Sequence, residues 1–283
     1  MVWEKALDII QPSIKEKGFY HYNHSFRKFA KEMKITANLS TPAYLSLDFW
    51  SQQRHELIDN NLYVIRFGRG TFVIFSLDTF SSPYLALEKE NTQKLKLPSK
   101  TNFNHFRKSF RKIDYTLKSA ENTLLELVRY YDIYSSLVNT FESSPSYQIG
   151  SRGGMTQQFD VYMKHKNGNL HKFKYNGQVE LDYTIWTEKR VFVIEAKSLN
   201  RQGFDIGWHK LSFPSQRFLE QAKNDGLKVN PVYFLRAVDK GKQIILLYVF
   251  DELKFHKDGI ILNEPDHWNP VKIFQINLAE ILR

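Results

Sequence analysis

The stretch that most limits how this chain can fold runs from Gln178 to Ser198, QVELDYTIWTEKRVFVIEAKS. It holds two strand-like runs, Val179–Thr187 and Arg190–Ile194, with Glu188 and Lys189 marking a tight turn between them. Alternation places Leu181, Tyr183 and Ile185 on one face and Glu180, Asp182 and Thr184 on the other. Val191–Ile194 is continuously apolar, as expected of a central strand buried on both faces. Glu195 and Lys197 follow at once, separated by the small residue Ala196. Residues two apart on a strand share a side, so the carboxylate and the ammonium face one pocket at the end of a buried strand. Neighbouring strands lie roughly 4.8 Å apart, which brings Asp182 on the paired strand within reach of Glu195. Two carboxylates that close, in a partly desolvated place, repel each other unless a divalent cation sits between them.

Asp182 followed by Glu195-Ala196-Lys197 after a hydrophobic strand resembles the core of the PD-(D/E)xK nuclease superfamily, the fold of many type II restriction endonucleases. The resemblance extends from the helix around Glu121 to the helix after Lys197. It implies that Asp182 and Glu195 hold Mg2+ and that Lys197 positions or helps to activate the attacking water. Leu181 stands where the name-giving Pro would be, a departure shared by many members. The bland reading is that an E-x-K triplet in a chain rich in acids and lysines is a solvated strand edge. The strand–turn–strand setting and the upstream Asp182 speak against it. Glu180 is either an extra ligand or an exposed acid.

A chain of 283 residues can bury one large core or two modest ones. With no cysteine there is no disulfide frame, thiol nucleophile or Cys-based zinc site. The N-terminal MVWEKALDII carries acids and lacks a signal-peptide layout, and no run is apolar enough to span a bilayer, so no membrane association and a cytoplasmic location are expected. A formal charge of +10 suits a polyanionic partner such as double-stranded DNA.

Residues 1–95 read as a smaller α+β module. Ser25–Met33 is an amphipathic helix with Phe26, Phe29 and Met33 on one stripe. Ser40-Thr41-Pro42 marks a helix start, and Ser46–Asp59 reads as another helix. Leu62–Phe67 and Thr71–Leu77 form a hairpin around Gly68-Arg69-Gly70. Helices followed by a basic-tipped hairpin are compatible with a winged-helix-like module, in which Arg54, Arg66 and Arg69 would contact DNA. A structural subdomain without a ligand is the alternative. Residues 96–118 read as a basic linker. Lys94–Lys112 contains seven cations and no acid, and Arg107, Lys108, Arg111 and Lys112 are candidates to follow a phosphate backbone rather than simply to hydrate a face.

Residues 119–283 read as the nuclease domain. Ser119–Val138 has helical spacing at Leu124, Leu125, Val128 and Tyr131, and Glu121 lies on its core-facing stripe, where an acid is costly without a partner. The resemblance makes Glu121 a further catalytic and metal-binding acid. Glu126 is the runner-up, and an acid complementing the helix dipole is the plain alternative. Ser143–Gly154 reads as a loop. Phe159–His165 and Leu170–Tyr175 form a basic hairpin across Asn167-Gly168. Asn200–Trp208 reads as loop and Pro214–Lys223 as a polar helix whose Gln216 and Arg217 are candidate DNA contacts. Val229–Ala237 and Gln243–Phe250 are buried strands, and Leu253–Leu262 and Val271–Ile276 complete the sheet or its edge. The expected architecture is α/β, a restriction-endonuclease-like mixed sheet flanked by helices. The chain has no H-E-x-x-H, no phosphate loop ending in Lys-Ser/Thr, no G-x-S-x-G and no dinucleotide fingerprint.

The expected function is that of a Mg2+-dependent DNA endonuclease, most like a sequence-specific type II restriction enzyme, acting as a homodimer on a palindromic target. The alternatives are a structure-specific repair or junction-resolving nuclease, and a DNA-binding regulator on an inactive nuclease-like scaffold.

Overall fold

A computed structural model describes residues 2–35, 41–87, 92–95, 125, 128–129, 132–143, 145–150, 153–198, 205–239, 242–254, 256, 259–264 and 269–277. The chain has a mixed α/β architecture. In order, the N-terminal part comprises α1 (Val2–Lys17), β1 (Phe19–Tyr22), α2 (Phe26–Glu32), α3 (Thr41–Leu45), a 3-10 turn at Trp50–Gln52, α4 (His55–Ile58), β2 (Leu62–Arg66) and β3 (Phe72–Ser76). β4 (Tyr84–Ala86), β5 (Gln93–Lys94), α5 (Ile133–Asn139), β6 (Gln148–Gly150), β7 (Gly153–Lys164), β8 (Leu170–Leu181), β9 (Tyr183–Trp186) and β10 (Arg190–Ser198) follow. The remainder is β11 (Asp205–Gly207), α6 (Trp208–Asp225), β12 (Lys228–Asp239), β13 (Lys242–Phe250), β14 (Gly259–Ile261) and β15 (Pro270–Asn277).

The principal sheet has the order β5-β15-β13-β12-β10-β9-β6. β9 and β10 are an antiparallel hairpin, and β10 runs parallel to β12 through the crossover that contains α6. Such a parallel pair needs a crossover, and the helix covers one face of the sheet in making it. Alternate residues of β10 go to different cores. Val191 and Val193 pack with Trp208, Leu211 and Leu219 of α6, whereas Phe192, Ile194 and Ala196 pack with Ile133, Tyr134 and Leu137 of α5. The apolar run is therefore buried on both sides, as its composition requires.

Asp182 is where the chain changes sheets. The alternation that predicts one strand from Val179 to Thr187 is divided there. Leu181 ends β8, which pairs with β7 in a second sheet of order β14-β7-β8, whereas Tyr183 begins β9 in the principal sheet. Leu181 accordingly packs in one core, and Tyr183 and Ile185 in the other, so the three do not share a face. β14 pairs with β7, so among the described residues of the expected strand 253–262 the strand is Gly259–Ile261, and it extends the second sheet. β6 occupies part of the expected loop 143–154 and forms the edge beside β9.

The N-terminal residues form a three-stranded sheet, β1-β3-β2, with α1 and α2 on one face. Ser25, the first residue of the expected helix, caps α2 by accepting a hydrogen bond from the Lys28 N–H. The other face of that sheet joins the second. Tyr63, Ile65, Val73 and Phe75 share a core with Val161, Phe173 and Trp208. The β2–β3 tip is docked as well: the Phe67 carbonyl accepts from the Asn176 N–H at 3.1 Å, and Gly68 and Gly177 meet backbone to backbone. A Cβ on Gly177 would lie 2.4 Å from the Gly68 Cα, so both positions need glycine.

Two expected helices differ from the structure, and both differences bear on the site. Residues 46–59 are not one helix. The Gln52 side-chain carbonyl accepts from the Asp48 and Phe49 N–H groups, and Gln53 bonds Val64 through both its amide atoms, so the chain is held open ahead of the Trp50–Gln52 turn. α6 starts at Trp208, well before Pro214. Trp208 and Leu211 are buried and anchor its first turns, and Ser215 Oγ returns a hydrogen bond to the Leu211 carbonyl, so packing carries the helix through a proline in its interior.

Candidate active site

The β9–β10 register pairs Ile194 with Tyr183. One step further along the same register sets Glu195 opposite Asp182, just beyond the last pair. Asp182 Oδ2 accepts the Ala196 N–H at 2.8 Å, which clips the end of β8 to β10. Lys197 Nζ lies 2.9 Å from Glu195 Oε1. Asp182, Glu195 and Lys197 line a single cleft of about 420 Å³, and Glu195 and Lys197 are buried in its floor.

Two charged groups in this cleft come from stretches that carry no recognisable motif. Asp48, in the segment held open before the 3-10 turn, places Oδ1 2.6 Å from Lys210 Nζ and Oδ2 3.7 Å from Lys197 Nζ. Lys210 belongs to the first turn of α6, which reaches the cleft because the helix begins at Trp208. His209 is buried beside it. Arg66, Tyr175, Gln178, Glu180 and Phe213 form part of the wall. The extra helical turns ahead of Pro214 were the missed signal for Lys210; Asp48 had none beyond the Gln52 and Gln53 amides that shape its segment.

The electrostatics follow from burial. Burial drives the Glu195 acid up to about 7, with Asp182 adding to the rise, while Lys197 and Lys210 partly counter it. Burial would also raise Asp48, but the Lys210 and Lys197 ammonium groups outweigh it and hold that carboxyl below its ordinary range. Burial and the neighbouring Lys210 push the His209 imidazolium down to about 3, so the ring is neutral at physiological pH.

Glu195 links the site to stability. The unfolded chain loses this proton near the ordinary value of 4.5, whereas the folded chain keeps it to about 7. Between those values the folded state binds more protons, so metal-free stability falls as pH rises through the window. Glu195→Gln will flatten that fall. Urea midpoints of both chains from pH 4.5 to 8 without metal check this, and parallel curves would contradict it.

The hard-oxygen donors of Asp182 and Glu195 suit Mg2+ or Mn2+, which take one or two carboxylates and keep several waters. A buried acid whose ionisation is opposed by desolvation and by a second acid is the electrostatic situation a divalent cation relieves. Among the described residues no group of three or more His, Cys, Asp or Glu side chains is placed to hold a metal ion. Glu121 and Glu126 lie outside the described residues, and Glu180 lines the cleft wall.

Of the expected DNA contacts, Arg66 is in the cleft, where Nη1 donates to Ser46 Oγ at 2.9 Å. Arg54 is used internally: it donates to the Ala43 carbonyl and its guanidinium stacks on Tyr44. Arg69 is exposed at the β2–β3 tip, but that tip is docked on β8 rather than projecting as a free wing. Arg217 is exposed over Phe218, and Gln216 is half-buried; neither lines the cleft. Arg107, Lys108, Arg111 and Lys112 lie outside the described residues.

Residues 81–260 match the family model described as a domain of unknown function (DUF6997). The chain belongs to this family. The DUF6997 segment contains Asp182, Glu195, Lys197 and Lys210, and begins after Asp48 and Arg66. No curated protein and no solved structure matches the chain. Among the described residues no helix is long and apolar enough to cross a membrane.

Proposed function

We propose that this chain is a Mg2+-dependent endonuclease acting on double-stranded DNA, of the PD-(D/E)xK type, with sequence-specific restriction cleavage as its role. The observation that carries this reading is that Asp182, Glu195 and Lys197 line one cleft, with Asp182 Oδ2 accepting the Ala196 N–H at 2.8 Å and Lys197 Nζ 2.9 Å from Glu195 Oε1. The order of hairpin, helix and parallel strand around Glu195 and Lys197 supports it further, since it gives the mixed sheet the resemblance implies.

Asp182 and Glu195 would hold the ion, with Glu121 as the expected helper. When bound, Mg2+ lowers the pKa of a coordinated water and offsets the negative charge that grows on the attacked phosphate. Lys197 hydrogen-bonds the nucleophilic water and a phosphate oxygen, and its ion pair with Glu195 fixes where the ammonium sits. The Asp182 bond to the Ala196 N–H keeps the carboxylate aimed along the end of β10. A net charge of +10 favours a polyanionic substrate. Cutting both strands of a palindromic target needs two such sites, hence a homodimer.

Incubation with phage DNA in Mg2+ and in EDTA tests this. Discrete fragments that require Mg2+ are expected. Structure-dependent nicking would replace the restriction role with a repair role, and intact DNA in Mg2+ and Mn2+ would overturn the nuclease reading.

A further inference from the structure

The cleft is completed by a residue from outside the family segment. Asp48 is pinned by its backbone on both sides: its N–H donates to Gln52 Oε1 at 2.6 Å, and its carbonyl accepts from Gly207 N–H at 2.8 Å, immediately before α6 begins. Its carboxylate is thus a fixed group. One oxygen meets Lys210 at 2.6 Å and the other faces Lys197 at 3.7 Å. Lys197 also meets Glu195, so two ammonium groups stand side by side over the acidic floor, tied together by a single carboxylate. Half-exposed lysine side chains normally sample many rotamers and lose that freedom on binding. In this cleft the loss has already been taken at folding, because Lys197 and Lys210 are largely buried and held from a rigid segment. A pair of fixed cations beside two carboxylates is the arrangement that receives a phosphodiester, whose two non-bridging oxygens need donors from two directions.

We propose that Asp48 is a positioning residue that fixes Lys210 and Lys197 as a paired seat for one phosphate of the substrate, with Lys210 making a phosphate contact. The inference rests on the nuclease reading for the identity of the substrate but not for the seat itself. Asp48 acts through the lysines and touches neither water nor phosphate. The seat joins the two parts of the chain: its acid comes from the N-terminal part and its cations from the DUF6997 segment.

Three variants test it, each first shown to be folded by its circular dichroism and melting. In EDTA, binding of a short DNA duplex is measured against salt. Lys210→Met is expected to reduce the slope of log affinity on log salt by about 1, the signature of one lost phosphate contact. With Mg2+ and saturating DNA, Asp48→Asn is expected to bind no more weakly than wild type yet to cleave at least about tenfold more slowly, because misplaced groups lose rate rather than affinity. Asp48→Glu restores most of that rate. An unchanged salt slope in Lys210→Met, or wild-type cleavage by folded Asp48→Asn, overturns the proposal. If the wild-type chain cuts no DNA at all, the nuclease reading fails, and the salt slope in EDTA still decides whether Lys210 contacts phosphate.

Discussion

Lys197→Ala and Asp182→Asn will each lower Mg2+-dependent cleavage of duplex DNA by a hundredfold or more, while the same DNA is still bound, in Lys197→Ala with the loss of no more than one phosphate contact. A single positioned group at a reacting phosphate is worth on the order of a hundredfold to a thousandfold in rate. Lys197 has that position in the cleft floor, and its removal also leaves Glu195 without its 2.9 Å partner. Asparagine is the informative change at Asp182. Its amide oxygen can still accept the Ala196 N–H, so the clip between β8 and β10 remains while the negative charge is lost. Single-turnover cleavage and duplex binding in Ca2+ separate the two quantities. Wild-type cleavage by either folded variant would remove that residue from the chemistry, and loss of binding along with cleavage would point to a structural role instead.

Gly68→Val will destabilise the protein by about 2 to 5 kcal/mol, combining the strain of a positive φ at a branched residue with overpacking of a tight contact. Gly68 has φ +95°, and a Cβ there would lie 2.1 Å from the Asn176 carbonyl oxygen. Backbone faces backbone at this point, so no side chain can swing aside. The contact belongs to the joint between the β2–β3 hairpin and β8, whose far end delivers Asp182 to the cleft. Denaturant midpoints report the loss. A midpoint equal to wild type would mean that the hairpin tip is not docked on β8. Since Arg66 and Asp48 reach the cleft from the N-terminal part, the same variant is expected to lose cleavage as well.

The sequence made the β9–β10 hairpin legible because three independent signals coincide there: an apolar run, a two-residue turn, and polar groups at the strand's end. The placement of Glu195 and Lys197 on one face follows from strand geometry alone. What the pattern did not disclose is that the alternating run stops at Asp182 and changes sheets. Two short strands in different sheets and one long strand have the same period, so only tertiary pairing distinguishes them. Lys210 was hidden by Pro214, which reads as a helix start but lies within α6 because Trp208 and Leu211 dock ahead of it. Asp48 was hidden for the opposite reason: residues 46–59 have helical composition, but the Gln52 amide takes the Asp48 and Phe49 N–H groups and the Gln53 amide ties the segment to Val64 of β2, which holds the chain open ahead of the 3-10 turn. The site's central residues were thus readable from local pattern, and those that join it from elsewhere in the chain were not.

The most direct test of the account is where a divalent ion binds. Crystals grown without metal and soaked in Mn2+ should show an anomalous peak between the Asp182 and Glu195 carboxylates, and the same soak of Asp182→Asn should show it weakened or gone. A wild-type cleft that takes up no Mn2+ at those two carboxylates would contradict the reading of Asp182, Glu195 and Lys197 as the catalytic group of a metal-dependent nuclease.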